Sequence, residues 1–193
     1  EKILKLLYKM SETRGKEASG LMTLNDTKIK YIKDSIPASE LIKRRDYKKI
    51  ISQSLRLDET IAIFGHSRLV TNGEAGINSN NQPVHVDRII GIHNGIITNE
   101  QDLWGQNKDL SKQLELDTEV FLRLLEKNMQ ESDLLPAFKK TFDSIEGVVN
   151  IALMFEKLNI TVLATNNGSL YYSESESNGS IIFSSEKYIL EQT

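Results

Sequence analysis

Three residues in the middle of the chain, Arg68, Asn94 and Gly95, are of types suited to binding a small anion and stabilising a developing negative charge. The planar guanidinium of Arg68 can bind a carboxylate through two parallel hydrogen bonds. Asn94 offers a side-chain amide donor, and Gly95 lets a backbone N–H approach a ligand because no Cβ stands in the way. An amide side chain beside a backbone N–H is a common construction of the oxyanion hole in acyl-transfer enzymes.

Each of these residues also has an ordinary structural explanation. Asn-Gly is a strong signal for a type I′ hairpin turn, here between Ile89–His93 and Ile96-Ile97. A single arginine such as Arg68 is commonly one half of an ion pair. Taken alone, the dipeptide favours the turn, so the functional interpretation depends on the surrounding sequence.

The elements around these residues resemble two strands joined by a long loop. Ile61–Phe64 and Ile89–Ile92 are short β-branched runs typical of strands, and each ends in a polar cluster. Between them lie roughly twenty residues rich in Asn, Gly and Pro, and a loop of that length inside a compact domain is usually functional or disordered. We interpret this region as a site.

The rest of the chain consists of segregated runs of helices and strands, which favours an α+β fold over alternating βαβ units. Two antiparallel sheets between helices satisfy the pattern. Hairpin turns are predicted at Asn25-Asp26, Asn166–Gly168 and Asn178-Gly179. The predicted helices and strands are Glu1–Thr13, Ala18–Leu24, Lys28–Lys33, Arg45–Ser54, Glu59–Phe64, Asn99–Trp104, Asp117–Gln130, Leu134–Ile145, Val148–Phe155, Ile160–Thr165, Ser169–Ser173 and Ser180–Ser184.

Composition excludes several classes of protein. The 193 residues are 39% hydrophobic and 26% charged, which is ordinary for a folded domain and argues against disorder. The net charge of −3 gives no support to nucleic-acid binding, and no apolar run is long enough to cross a membrane. The chain has no Cys and no signal-peptide pattern, so we expect a cytoplasmic protein. The three His residues lack metal-ligand spacing, so we predict neither a metal site nor a cofactor.

Several blocks in fixed order resemble the class II glutamine amidotransferases, and most closely the glutaminase domain of the glucosamine-6-phosphate synthase branch. The blocks RGKEASG and LDTEV begin at Arg14 and Leu116. The blocks GHSRLVTNG, NQPVHV and HNGIITN begin at Gly65, Asn81 and His93. No single block is specific for this family, but the occurrence of all of them in this order across more than a hundred residues is specific.

The resemblance implies a four-layer αββα sandwich of two antiparallel sheets, the N-terminal-nucleophile hydrolase architecture, formed by residues 1–193 as one domain. It implies hydrolysis of glutamine to glutamate and ammonia, with transfer of the ammonia to an acceptor held by a synthase domain or subunit. Amino-sugar or related biosynthesis is the implied setting.

The resemblance also implies a role for each matching residue. Arg68 binds the α-carboxylate of glutamine and Asp117 its α-ammonium, while Asn94 and Gly95 form the oxyanion hole. Asp117 has the alternative explanation of an N-cap for the helix Asp117–Gln130. The residues implied to contact substrate are therefore Arg68, Thr71, Asn72, Gly95 and Asp117, although the sugar-aminating branch has His where Asn72 stands and Trp where Leu69 stands.

The nucleophile of the family is a Cys at the mature N-terminus, and the sequence contains no Cys. We expect that the Cys, together with the first and last strands of the fold, lies outside these 193 residues. Two alternatives remain open. One is a catalytically inactive amidotransferase-like domain that serves as a binding or regulatory module, and the other is an unrelated α+β domain in which Asn94-Gly95 is only a turn.

Overall fold

A computed structural model describes residues 1–25, 28–55, 61–69, 76–177 and 179–193. The helices in these ranges are α1 (Lys2–Ser11), α2 (Ala38–Leu41), α3 (Arg45–Ser54), α4 (Glu100–Gln106), α5 (Asp117–Glu131), α6 (Leu134–Asp143) and α7 (Lys187–Leu190). The strands are β1 (Ala18–Asn25), β2 (Lys28–Asp34), β3 (Ile61–Arg68), β4 (Val84–Val86), β5 (Ile89–Ile97), β6 (Gly147–Phe155), β7 (Ile160–Thr165), β8 (Tyr171–Ser175) and β9 (Ser180–Ser184).

The strands form antiparallel sheets. Sheet A has the order β2-β1-β3, sheet B has the order β4-β5-β6-β7, and β8 pairs with β9. Every strand except β3 pairs with the strand that comes immediately before or after it in the chain, so most of the pairing is local. The two larger sheets supply three of the residues that were predicted as a site, Arg68 from β3 and Asn94 and Gly95 from β5.

Alternate residues of β1 face opposite sides of sheet A, as the strand period of two requires. Leu21 is fully buried with Tyr8 and Tyr47 in a cluster between sheet A and the helices α1 to α3. Met22, its neighbour, is buried against Ile90 and other residues of sheet B. One strand therefore contributes to two separate cores.

Sheet B repeats this arrangement on its own two faces. From β6, Ile151 and Leu153 pack against α5 in the largest hydrophobic cluster, which also includes Phe121. Ala152 and Met154 point the other way, into the cluster between the two sheets. The layers therefore run from helices to sheet A, sheet B and helices again, which confirms the predicted α+β, four-layer αββα architecture.

Two strands continue further than the apolar patterns predicted. β3 runs on through the polar residues Gly65 to Arg68, and β5 runs on through Asn94 and Gly95 to Ile97. Both extensions are paired, β3 with β1 and β5 with β6. Ladder hydrogen bonds, rather than side-chain hydrophobicity, set the length of these strands.

The predicted hairpin turn at Asn166–Gly168 is wrong. Gly168 does have the positive φ of a turn, at 79°, but β7 and β8 on either side of it belong to different sheets. Asn166 instead extends β7, because its side chain accepts from Val149 N at 2.8 Å and donates to Gly147 O at 3.0 Å. The predicted turns at Asn25-Asp26 and Asn178-Gly179 include Asp26 and Asn178, which lie outside the described residues.

The helices in the described ranges include none with the length and apolar character needed to cross a bilayer. The same ranges contain no group of three or more His, Asp or Glu side chains placed to bind a metal ion.

The layered packing predicts that residues between the two sheets carry a large share of the stability. We expect Ile90→Ala to lower the free energy of unfolding by about 2–5 kcal/mol, because Ile90 is fully buried and its truncation leaves a cavity. Urea unfolding followed by circular dichroism measures the change. Leu135→Ala is the matched control, because Leu135 is 81% exposed, and a loss there as large as at Ile90 would contradict this assignment of the core.

Candidate active site

A cavity of about 1070 Å³ lies alongside β3 and reaches the middle of β5 and the start of α5. Four of the predicted site residues, Arg68, Asn94, Gly95 and Asp117, line it together. They come from three elements that are far apart in sequence. The other two predicted residues, Thr71 and Asn72, lie outside the described residues.

Arg68, the last residue of β3, is only 4% exposed although it carries a charge. Its Nη1 donates to Asn80 O at 2.6 Å and to Asn81 Oδ1 at 2.8 Å, which fixes the plane of the guanidinium. Burial lowers the pKa of the Arg68 guanidinium below its ordinary value, while the nearby carboxylates of Asp117 and Glu17 oppose that shift. Because an arginine side chain is not deprotonated in proteins, the guanidinium is a cation in a poorly solvated position.

Gly15, in the Arg14-Gly15 pair, packs directly against the backbone of Arg68. A Cβ on Gly15 would lie 2.1 Å from the carbonyl carbon of Arg68, so only glycine allows the two backbones to approach this closely. Glu17 N then donates to Arg68 O at 3.3 Å. This contact explains in physical terms why a glycine stands at this position of the motif.

Asp117 is the first residue of α5 and is 5% exposed. Its Oδ2 accepts a hydrogen bond from Ile97 N at 2.8 Å, and its Oδ1 lies 3.7 Å from Nδ1 of His93. Burial acts to raise the pKa of Asp117, but the His93 ring and the backbone N–H groups of Ile97 and Thr118 outweigh burial and hold the pKa below its ordinary value. The interpretation of Asp117 as an N-cap is wrong, because Leu116 occupies that position and the Asp117 side chain bonds to β5 instead.

Asn94 and Gly95 lie inside β5, opposite Asn150 and Val149 of β6, so the interpretation of the pair as a hairpin turn is also wrong. Gly95 has a φ of 151°, and a Cβ there would lie 1.9 Å from Val148 O. The half-buried Asn94 lines the cavity, and its side-chain amide makes no hydrogen bond to another residue of the described ranges. An amide donor and a glycine thus face a cavity from a rigid strand.

Residues 78–83, with the sequence NSNNQP, connect these walls, and we call them the Asn-rich segment. Sequence analysis included them in the loop that it interpreted as a site but assigned a role to none of them. Besides the Asn80 and Asn81 contacts with Arg68, Gln82 bonds both backbone groups of His93, accepting from N at 2.5 Å and donating to O at 2.8 Å. Asn80 also donates to Glu115 Oε2 at 2.7 Å, two residues before Asp117. The high density of amide side chains was the sequence signal that could have indicated this role, because one amide can bond both a donor and an acceptor of a neighbouring backbone.

His66, on the same face of β3 as Arg68, is a further titratable group that lines the cavity. Its Nδ1 is buried and has no hydrogen-bond partner in the described residues. Burial, followed by the positive charge of Arg68 and the His93 ring, lowers the pKa of His66 from 6.5 to about 4. His66 is therefore a neutral imidazole at neutral pH.

Comparison with solved structures defines the class of fold. The chain is similar to glutamine phosphoribosylpyrophosphate amidotransferase from B. subtilis complexed with ADP and GMP, with a TM-score of 0.74 and 20% identity over 98% of this chain and 40% of that one. A structure of the allosteric regulatory enzyme of purine biosynthesis gives the same TM-score of 0.74 at 22% identity. The chain therefore has the fold of the N-terminal-nucleophile amidotransferases.

Sequence comparison then gives the family. The profile described as "Glutamine amidotransferase domain" matches residues 66–192, and the chain belongs to this family. It is 30% identical over 161 residues to glutamine–fructose-6-phosphate aminotransferase (isomerizing) of Oceanobacillus iheyensis, which is 82% of this chain and 25% of that protein. The protein of the same name from Clostridium acetobutylicum is 29% identical over 189 residues, 94% of this chain and 29% of that protein. The chain spans about a quarter of the length of these relatives.

The buried neutral His66 predicts a specific loss of stability in mild acid. The unfolded chain takes up a proton at His66 below about pH 6.5, while the folded chain resists until about pH 4. Stability therefore falls as the pH drops through this window, by about 3 kcal/mol from this one group.

Urea unfolding of the wild type and of His66→Asn at pH 7, 5.5 and 4.5 tests this expectation. The variant cannot take up the proton, so the difference in unfolding free energy between the two proteins should shift in favour of the variant as the pH falls. A difference that stays constant across the window would show that His66 does not titrate as its burial requires.

Proposed function

We propose that this chain forms the glutamine-binding and oxyanion-stabilising part of a glutaminase site, which hydrolyses glutamine to glutamate and ammonia for transfer to an acceptor. The observation that carries the proposal is the meeting of a guanidinium, a carboxylate and an amide-plus-glycine strand at one cavity. Membership of the glutamine amidotransferase family supports it. We also infer that residues 1–193 belong to one such domain.

The two charged residues match the two charged groups of a free amino acid. Arg68 binds the α-carboxylate, because a guanidinium whose plane is already fixed loses little conformational freedom when it binds a planar anion. Asp117 binds the α-ammonium, because its pKa lies below the ordinary value and it is ionised at neutral pH. Both groups are at least 95% buried, so their attraction for a zwitterion is weakened little by solvent. Thr71 and Asn72 complete the contacts in this proposal.

The reacting end of glutamine is its side-chain amide. Attack on the amide carbon places a negative charge on the carbonyl oxygen, and the Asn94 side-chain amide and the Gly95 N–H are the proposed donors to that oxygen. Because β5 is paired with β6 along its length, the backbone that carries both donors is held in place before the charge develops. Preorganised donors of this kind stabilise a transition state without the cost of reorienting solvent.

The 193 residues contain no Cys, so the thiol nucleophile of the family is not among them. We propose that the nucleophile reaches the cavity on an extended segment running between β3 and β9. Both strands line the cavity, and within the described ranges β3 pairs only with β1 and β9 only with β8. A strand in this position would satisfy two open sheet edges, which proteins generally cover.

The acceptor of ammonia and the setting of the reaction are part of the proposal. The relatives are named for transfer of the glutamine amide to fructose 6-phosphate, which favours a sugar phosphate acceptor held by a synthase domain or subunit. A cytoplasmic location is proposed with this setting. The absence of Cys favours a second candidate, a binding or regulatory module that holds glutamine without hydrolysing it.

Release of glutamate from glutamine by the protein as its gene encodes it tests the proposed reaction. With that protein, Asn94→Ala should lower kcat by about 100-fold or more with a small change in KM, because an oxyanion donor acts on the transition state. Asn107→Ala, at the end of α4 and away from the cavity, is the matched control. Binding of glutamine without release of glutamate would establish the second candidate and contradict the reaction.

The role of Asp117 predicts a dependence on the α-ammonium of the substrate. Asp117→Asn removes the charge but keeps an oxygen that can accept from Ile97 N, so the local fold is retained. We expect kcat/KM for glutamine to fall by about 100-fold, as for loss of one partner of a buried charge pair.

A substrate analogue separates this role from a general disturbance. With 4-carbamoylbutanoate, which is glutamine without its amino group, Asp117→Asn should cost less than about threefold, because the lost partner is already absent. An equal loss with both substrates would contradict the assignment of Asp117 to the ammonium.

A further inference from the structure

We propose that Lys33 is a positioning residue for the carboxylate-binding guanidinium of Arg68, acting through the Asn-rich segment. This inference rests on the proposed function. No motif of the sequence marks Lys33, which lies on β2, a strand that does not pair with β3. What connects it to the site is a set of hydrogen bonds to the segment that also holds Arg68.

The ammonium of Lys33 bonds three backbone carbonyls of the Asn-rich segment. Nζ donates to Ser79 O at 3.0 Å, to Asn81 O at 2.6 Å and to Pro83 O at 3.0 Å. An ammonium has three N–H donors, so these contacts use its full capacity. A lysine that is bonded in this way acts as a structural cation and not as a solvated surface charge.

Arg68 bonds the same segment at the position in between. Its Nη1 donates to Asn80 O and to the side-chain Oδ1 of Asn81. The carbonyls of residues 79, 81 and 83 therefore accept from Lys33, and the carbonyl of residue 80 accepts from Arg68. Two cations from non-adjacent strands therefore bind four backbone carbonyls within five residues.

The position of Lys33 is electrostatically unfavourable for its ammonium group. Burial, and secondly the positive charge of Arg68, together lower the pKa of Lys33 from 10.5 to about 8. Because burial and charge repulsion both oppose an ammonium at this position, the three carbonyl bonds must offset them. Removal of the ammonium leaves those carbonyls without charged donors and frees the backbone that orients Arg68.

Glutamine kinetics should reveal the effect at the α-carboxylate and not at the reacting amide. With the protein as its gene encodes it, Lys33→Met should raise KM for glutamine about tenfold while kcat changes less than threefold. Lys33→Arg, which keeps a charge and several donors, should restore KM to within about threefold of the wild type. Lys30→Met is the matched control, since Lys30 lies on the same strand and, among the described residues, its ammonium donates to the exposed Gln53 alone, at 3.0 Å.

A second substrate distinguishes positioning from a general loss of structure. For 4-aminobutanamide, which is glutamine without its carboxylate, Lys33→Met and the wild type should have the same kcat/KM within about twofold. If Lys33→Met does not fold, Lys33→Gln, which keeps the polarity without the charge, takes its place in the same comparison.

The outcomes separate this inference from the function on which it rests. If the wild type releases no glutamate from glutamine, the proposed function fails and the role of Lys33 fails with it. If the wild type is active and Lys33→Met has an unchanged KM, only the role of Lys33 is overturned. An equal loss with glutamine and 4-aminobutanamide also overturns it, since the effect would then not pass through the carboxylate site.

Discussion

The arrangement of this site depends on the paired hydrogen bonds between Gln82 and the backbone of His93. They tie the Asn-rich segment, residues 78–83, to the middle of β5 in sheet B, while Asn80 and Asn81 tie the same segment to Arg68 at the end of β3 in sheet A. Apolar packing between the two sheets has no directional preference, whereas these hydrogen bonds do. The hydrogen bonds therefore help to determine which polar groups meet at the cavity.

Charge placement follows from the same connection. Arg68 and Lys33 bring two positive charges to one neutral, amide-rich stretch of backbone, and the carboxylate of Asp117 stands on the other side of the substrate position as proposed. Because the segment itself is uncharged, it can hold both cations without neutralising either. A zwitterionic ligand would thus find a fixed cation and a fixed anion whose side chains are themselves largely shielded from solvent.

Much of the fold and part of the site could be predicted from the sequence, and the failures have a common cause. Strand and helix periodicity predicted the elements and the α+β class, and the family resemblance implied the four layers. Of the residues that the resemblance implied for the site, Arg68, Asn94, Gly95 and Asp117 do line one cavity. Local rules interpreted Asn94-Gly95 as a turn and Asp117 as a cap, because they weigh a residue against its sequence neighbours only. In the fold, pairing with β6 and a bond to Ile97 N override those preferences. The roles of Asn80, Asn81 and Gln82 in the Asn-rich segment were not predicted, because their partners are distant in sequence.

Amide hydrogen exchange at His93 tests most directly whether the Asn-rich segment couples the two sheets. Asn81→Ala removes a side chain that bonds Arg68 and Ser35, and neither of those residues belongs to sheet B. If the segment acts as one unit, this change should speed exchange of the His93 amide, which Gln82 protects, at least tenfold, whereas Asn99→Ala should leave it unchanged. Full protection of the His93 amide in Asn81→Ala, with faster exchange only near Arg68, would contradict the coupling.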